Sequence, residues 1–336
     1  MATKKKIAPA KKPPRAAAKK AAPKKAAPKK VAAPKKATAK KDAPKAKAAS
    51  FAADGALHVL VARGSTFSTI ELRVEGGKVK VIGERPAVSR AHRVAALAGE
   101  VLTVNRDGKA KLVRADGSAR AANLGGGVDD VVVCHGVAWA CGSNRNLARL
   151  DADAATWSGA GLRQALEPLL PVVHLGTDDV ESITSGARGP IVAVHANSYR
   201  RVLVMEHDGA AWSRRCDLPH RSNALAWSPK DDVVYSVGDE VFAIDAHGKV
   251  KKLGDDDDEG LWAAAWARGA LWAATLASVS RVDVKRGALE EVLPWGGGGE
   301  VPHNHSLFTD GARLAFVRAG KLWLSTDARF VEVPLA

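Results

Sequence analysis

The feature that most constrains this chain is a unit of four short strands that recurs through its last 286 residues. The unit is clearest at 222–253. Ala224–Trp227 is apolar, and Ser228-Pro229-Lys230-Asp231 breaks the run. Three more runs follow, Val233–Val237, Val241–Asp245 and Val250–Leu253, parted by Gly238-Asp239 and His247-Gly248. Short β-branched runs joined by such dipeptides predict an antiparallel meander. The first turn of each unit can be followed along the chain at Gly55, Gly99, Gly136, roughly Gly186–Pro190, Pro229, Gly269 and Gly311. Gly55 to Gly311 is 256 residues in six intervals, a mean of about 43.

A lone four-stranded sheet of this kind has two apolar faces and cannot bury either. Radial packing buries both and leaves only short edges. A period of about 40–45 residues is that of a four-stranded blade in such a ring. The fold class is therefore all-β, a β-propeller of four-stranded antiparallel blades, most simply seven, over residues 48–336. The third unit is irregular, so six remains an alternative and eight is the upper bound. Leu162–Leu170 in it reads as a short helical insertion ending at Pro171. The tryptophans at 139, 227, 262, 266, 272 and 323 are expected to pack between blades. The body resembles the seven-bladed β-propeller superfamily without matching one member family. It has no Trp-Asp dipeptide, and its glycine runs at 125–127 and 296–299 do not repeat from unit to unit.

The charge of the chain divides it in two. Residues 1–50 carry 17 Lys and one Arg against Asp42 alone, a formal +17, whereas the remainder carries −2. The first fifty residues are also rich in Ala and Pro and hold no aromatic residue. Such a segment cannot offset its ordering entropy by burial, so disorder is expected over 1–47. Its repeated Ala-Ala-Pro-Lys-Lys (21–25, 26–30, 32–36) resembles the lysine-rich tails of linker histones and bacterial histone-like proteins. The resemblance implies nucleic-acid binding without sequence preference, with DNA the expected partner. The binding residues would be Lys4, Lys5, Lys6, Lys11, Lys12, Arg15, Lys19, Lys20, Lys24, Lys25, Lys29, Lys30, Lys35, Lys36, Lys40, Lys41, Lys45 and Lys47. The physical basis is counterion release by lysines that neutralise phosphates. A solubilising linker is the plainer alternative, and an anionic lipid surface a third.

No run approaches the roughly 18 apolar residues of a membrane span. Three cysteines form no disulfide pattern. With a tight turn at His135-Gly136, Cys141 falls opposite Asp130 rather than Cys134, so the two thiols are not cross-strand partners. A reducing, cytoplasmic setting is expected, nucleoid-associated, or nuclear in a eukaryote. A monomer is expected, with no membrane partner.

In a ring of blades, the loops that lead into each first strand share one end of the channel with the loops joining second to third strands. Those loops carry the candidate ligand residues Asn144, Asp178, Asp179, His195, Asn197, Tyr199, His220, Asn223, His303, Asn304 and His305. They would face an unidentified protein or small ligand. Asn and Asp are also ordinary turn residues. The same loops hold the acidic run Asp255–Glu259, a solvated loop or a dock for a basic partner.

No cofactor, no metal and no catalytic residue is assigned. A Gly-x-Ser-x-Gly elbow, a phosphate loop and a Cys-x-x-Cys are all missing. One enzyme reading competes. Asn223–Pro229 is similar to a segment of gluconolactonase-like propellers, metal-dependent hydrolases whose Asn and Asp hold a divalent cation. That pattern needs an acid at position 238, which here is Gly238, with Asp239 one place late. The fold alone licenses no reaction. The sequence therefore points to a non-enzymatic scaffold, tethered by its tail and presenting one polar face.

Overall fold

The computed structural model describes residues 42–335 apart from 76–77, 125, 144–145, 152, 154, 171–178, 197–200, 256–259, 295–305 and 326–328. The described residues build seven four-stranded antiparallel sheets. Their first strands are Lys45–Phe51, Ala91–Leu97, Asp130–Cys134, Asp179–Ser185, Ser222–Ser228, Ala263–Ala267 and Leu307–Thr309. These define blades 1 to 7 in order. Within every blade the strands pair in chain order, first to fourth. The first strands line the central channel and touch one another around the ring.

Burial falls from the channel towards the rim. Second strands are sealed on both faces, as in Pro190–Ala196 and Ala270–Ala274, where every residue is buried. Fourth strands such as Lys78–Pro86 and Ala288–Pro294 are largely exposed. Between blades the core contacts are apolar. Val192, Val194 and Leu203 of blade 4 cluster with Trp139 and Cys141 of blade 3. The short helix Leu162–Leu166 adds its buried Leu162 and Leu166 to that cluster. Trp212 closes it, donating its indole N–H to the Ala160 carbonyl at 2.6 Å.

Local chemistry explains the turns. His135 and Gly136 both have positive φ, 50° and 78°, the pairing a two-residue hairpin with right-handed twist needs. Val137 then pairs with Cys134, and Cys141 with Asp130. The three cysteines are buried and free.

Two lysines lie elsewhere than expected. Lys45 and Lys47 belong to the first strand of blade 1, where Lys45 pairs with Ala62. Both are exposed, while Ala46, Ala48 and Ala49 are buried. The alternation is that of a half-buried strand, which the lysine-rich composition conceals. Lys4 to Lys41 lie outside the described residues.

Blades 7 and 1 meet without exchanging a strand. Their seam is an apolar cluster of Ala49, Val59 and Val61 with Ala315, Leu322 and Leu324. Ala46 N–H donates to the Gly320 carbonyl at 2.7 Å. The Arg313 guanidinium donates to the Gly55 carbonyl at 2.6 Å and lies over the Phe51 ring at 4.9 Å. Among the described residues no helix is long and apolar enough to cross a membrane.

Candidate functional site

A single irregularity, repeated, builds the polar end of the channel. In four first strands the register slips by one residue just after the strand begins: at Lys47 in blade 1, His92 in blade 2, Glu181 in blade 4 and Asn223 in blade 5. Each slip leaves one residue without a cross-strand partner. Such a bulge re-aims its side chain. Blades 3 and 6 reach the same position differently. Asp129 donates its N–H to the Cys141 carbonyl, and Trp262 donates to the Ala274 carbonyl, each one residue before the first strand. His92, Asp129, Glu181, Asn223 and Trp262 thus come from five successive blades and line one cavity of about 340 Å³. Arg93, Arg106, Ser143, Asp179 and Arg221 complete its wall.

Two glycines make the approach possible. A Cβ on Gly142 would stand 2.2 Å from the Gly127 carbonyl oxygen, and one on Gly238 would stand 2.2 Å from that of Arg221. Both end second strands, in blades 3 and 5, directly beneath the segments that carry Asp129 and Asn223. Position 238 therefore has no room for the acid that the gluconolactonase-like pattern requires. Asn223 is likewise committed, donating its amide N–H to the Leu261 carbonyl at 2.9 Å. Among the described residues no group of three or more His, Cys, Asp or Glu is placed to hold a metal ion.

Most charges in the mouth are paired within the protein. Glu181 takes the Arg221 guanidinium at 2.8 Å on one oxygen and faces His195 Nδ1 at 2.7 Å with the other. His195 Nε2 lies 2.9 Å from the Ser222 carbonyl. Both ring nitrogens thus face oxygen atoms. Burial pushes the Glu181 carboxyl up, but His195 and Arg221 outweigh it and hold the group below the usual range. Arg221 also lies over the Trp262 ring, 5.7 Å from its centroid. Arg93 points its Nε at Asp130, 3.5 Å away, and donates to the His92 carbonyl. Burial pulls its guanidinium down to about 10, with Asp130 and Asp129 pulling back. His92 sits between the carbonyls of Val104 and Val128 at 3.1 and 2.9 Å.

Asp129 and Asp179 flank the end of one strand. Asp129 is held by its N–H on Cys141, and Asp179 bridges Ser143 two residues further on. Burial first and Asp179 second push the Asp129 carboxyl up.

The expected ligand residues divide into four groups. Asp179 and Asn223 line the cavity. His195 is fully buried behind it, with no exposed surface, and acts on it through Glu181. His220 lies apart: its ring stacks on Phe242 and its Nε2 is 3.3 Å from Glu240. Asn144, Asp178, Asn197, Tyr199, His303, Asn304 and His305 lie outside the described residues. Arg93, Arg106, Arg221 and Trp262 complete the wall without having been singled out as ligand residues. Trp139, Trp227, Trp266, Trp272 and Trp323 pack against apolar clusters shared by neighbouring blades, as expected. Trp227 and Trp266 also line the other end of the channel, and Trp262 stands in the mouth instead. Position relative to the first strand was the one signal that could have found Trp262, since it stands where Asp129 and Asn223 stand.

No protein-family model matches the chain, and no curated protein matches it in sequence. Solved structures do match in shape. The computationally designed Ika8 protein superposes with a TM-score of 0.56 at 11% identity, covering 88% of this chain and 87% of its own. Saccharomyces cerevisiae Sqt1 matches with a TM-score of 0.54 at 14% identity, over 85% and 83% of the two chains. The WD40 domain of Toxoplasma gondii coronin gives 0.54 at 10% identity, over 86% and 87%. At these identities the likeness carries the fold, a seven-bladed propeller of the WD40-like shape, and nothing finer.

Proposed function

We propose that this chain is a recognition scaffold. The polar mouth of the propeller receives a partner, and the lysine-rich segment before it holds nucleic acid through phosphates. The observation that carries the first half is the half-ring of His92, Asp129, Glu181, Asn223 and Trp262, one residue from each of five successive blades. Its acids and bases are mostly fixed on one another, so the surface is pre-organised, as binding surfaces are. The second half rests on composition: 17 lysines in fifty residues, spaced by Ala and Pro, and no aromatic to read or stack on bases. The setting is the cytoplasm, on a nucleoid, or the nucleus of a eukaryote.

The test is a titration of duplex DNA against the full-length chain at several salt concentrations. It is run beside a full-length variant with every lysine from Lys4 to Lys41 replaced by Gln. Affinity of the parent should fall steeply with salt, with a log–log slope of about −0.9 per phosphate contacted. The variant should lose most of that binding and most of that slope. Equal binding by both chains would remove the tail from the reading. Where a truncated chain is wanted instead, it should begin before Lys45, because a cut at residue 51 removes the first strand of blade 1.

A further inference from the structure

We infer that the mouth binds a small zwitterion of the amino-acid type, its ammonium held at Asp129 and its carboxylate at Arg106. The inference rests on the mouth being a recognition site, and it adds the chemistry of what is recognised.

The argument is one of what is left over. Among the described residues lining the cavity, Glu181 is taken by Arg221 and His195, Arg93 by Asp130 and the His92 carbonyl, and Asp179 is likewise engaged within the protein. Two charged side chains remain with no hydrogen bond or ion pair of their own. Asp129 is one, partly buried and beside Asp179. Arg106 is the other, exposed on the loop that joins the second and third strands of blade 2. They have opposite signs, and they are near enough for Arg106 to act electrostatically on Asp129. A bare cation would satisfy the first and leave the second, and a bare anion the reverse. A molecule carrying both charges satisfies both.

A second, independent feature points to a ligand. Asn223 is only 4% exposed and lines the same cavity, yet its amide oxygen is buried without a partner. A buried carbonyl left without a donor is unfavourable, and the ammonium of a ligand supplies three donors. The volume also selects. About 340 Å³ stands at the low end of small-molecule sites, room for a metabolite and little more.

Binding should depend on pH through Asp129. Its carboxyl is raised, by burial first and then by Asp179 and Asp130 against the pull of Arg93 and Arg106, so protonation sets in at a higher pH than for an ordinary aspartate, and the site loses its anion on acidification. Affinity for the ammonium is full above that point and falls as pH drops through it.

The experiment is calorimetric titration of the full-length chain at pH 7 with L-alanine, L-leucine and L-phenylalanine. Ethylammonium and propionate serve as the two halves. At least one amino acid should bind at least tenfold more tightly than either half. Asp129→Asn and Arg106→Gln should each weaken it tenfold or more, whereas Lys47→Gln, at the bulge of blade 1, should not. Amino acids that bind no better than one half would overturn the zwitterion and leave recognition at the mouth standing. If neither amino acids nor halves bind, the assignment of a small ligand to the mouth fails outright. Binding that survives both substitutions would also overturn it, because the site would then lie elsewhere. None of these outcomes bears on the DNA titration, so failure of the tail and failure of the mouth remain separable.

Discussion

The two ends of the central channel are made by one set of first strands, yet they differ in character: five blades supply the charged end and all seven the more apolar one. At the start of the first strands, a bulge or its equivalent delivers His92, Asp129, Glu181, Asn223 and Trp262 to a small charged cavity. Three or four residues later those strands run regularly. They line a wider space of about 660 Å³ with Val131, Val133, Ile183, Leu225, Trp227, Trp266 and Phe308. Arg93 reaches both spaces, and its partner Asp130 lines the apolar one. The difference teaches that a propeller need not choose between strands for the core and strands for the site. One unpaired residue per strand separates the two tasks.

The comparison can be broken first on the apolar side of the ring. Arg215, its side chain 2% exposed, ties the outer strand of blade 4 to the turns of blade 5 on that side, outside the channel. It meets Glu206 at 3.2 Å and donates to the carbonyls of Asp245 and Asp232 at 3.0 and 2.6 Å. Arg215→Ala leaves the buried Glu206 with Arg188 alone, 3.4 Å away, and should cost about 3 kcal/mol. Chemical denaturation reads that loss. Ligand binding at the mouth, measured well below the unfolding midpoint, should stay as it was. A loss of mouth binding in the folded variant would show that the two ends are coupled.

Breaking the mouth instead calls for Gly142→Ala. The new Cβ would stand 2.2 Å from the Gly127 carbonyl, and backbone must move to admit it. Crowding of this kind costs about 1–3 kcal/mol. The displaced segment carries Asp129, so binding at the mouth should weaken along with the fall in stability. An unchanged melting temperature would mean that the loop gives way freely.

The smallest effect sharpens the contrast through pH. Glu181 is a carboxyl held below its ordinary range in the folded chain. It therefore contributes stability above the unfolded value of about 4.3, and that contribution is lost as pH falls through the lower folded value. Glu181→Gln should lower stability near neutrality by about 1 kcal/mol, through the weakened contacts to Arg221 and His195. It should also flatten the fall on acidification below about pH 4. Parallel acid denaturation curves for parent and variant would dismiss the Glu181 pairing as a source of stability.

Much of this architecture was legible in the residues. The first turns at Gly55, Gly99, Gly136, Gly186–Pro190, Pro229, Gly269 and Gly311 stand in the structure where the period puts them, because hairpin chemistry is local. The helical insertion is present at Leu162–Leu166, and Cys141 does stand opposite Asp130. The polar end was legible as a set of loops but not as a cavity. Lys47, His92, Glu181 and Asn223 share a backbone role and no chemistry, so no composition marks the bulge. It arises from pairing with a second strand that ends one residue out of step. His220 shows the converse: a polar loop residue beside Asn223 in sequence, it turns outward to Phe242 and Glu240. The strand at Lys45 was hidden because burial there is by alanine, which reads equally as tail.

The seam between blades 7 and 1 has one more implication. Every blade completes its own sheet from consecutive strands, so no blade is clasped by a strand borrowed from the far end of the chain. Most pairing contacts are therefore local, which favours rapid formation of each blade. The long-range event is the meeting of Ala49, Val59 and Val61 with Ala315, Leu322 and Leu324, packed side to side like any other pair of blades. A ring shut in this way can breathe at one joint while the remaining sheets keep every hydrogen bond they have. Hydrogen exchange should then find its most readily opened amides along that joint, at Ala46 and its neighbours, rather than in the middle of any blade.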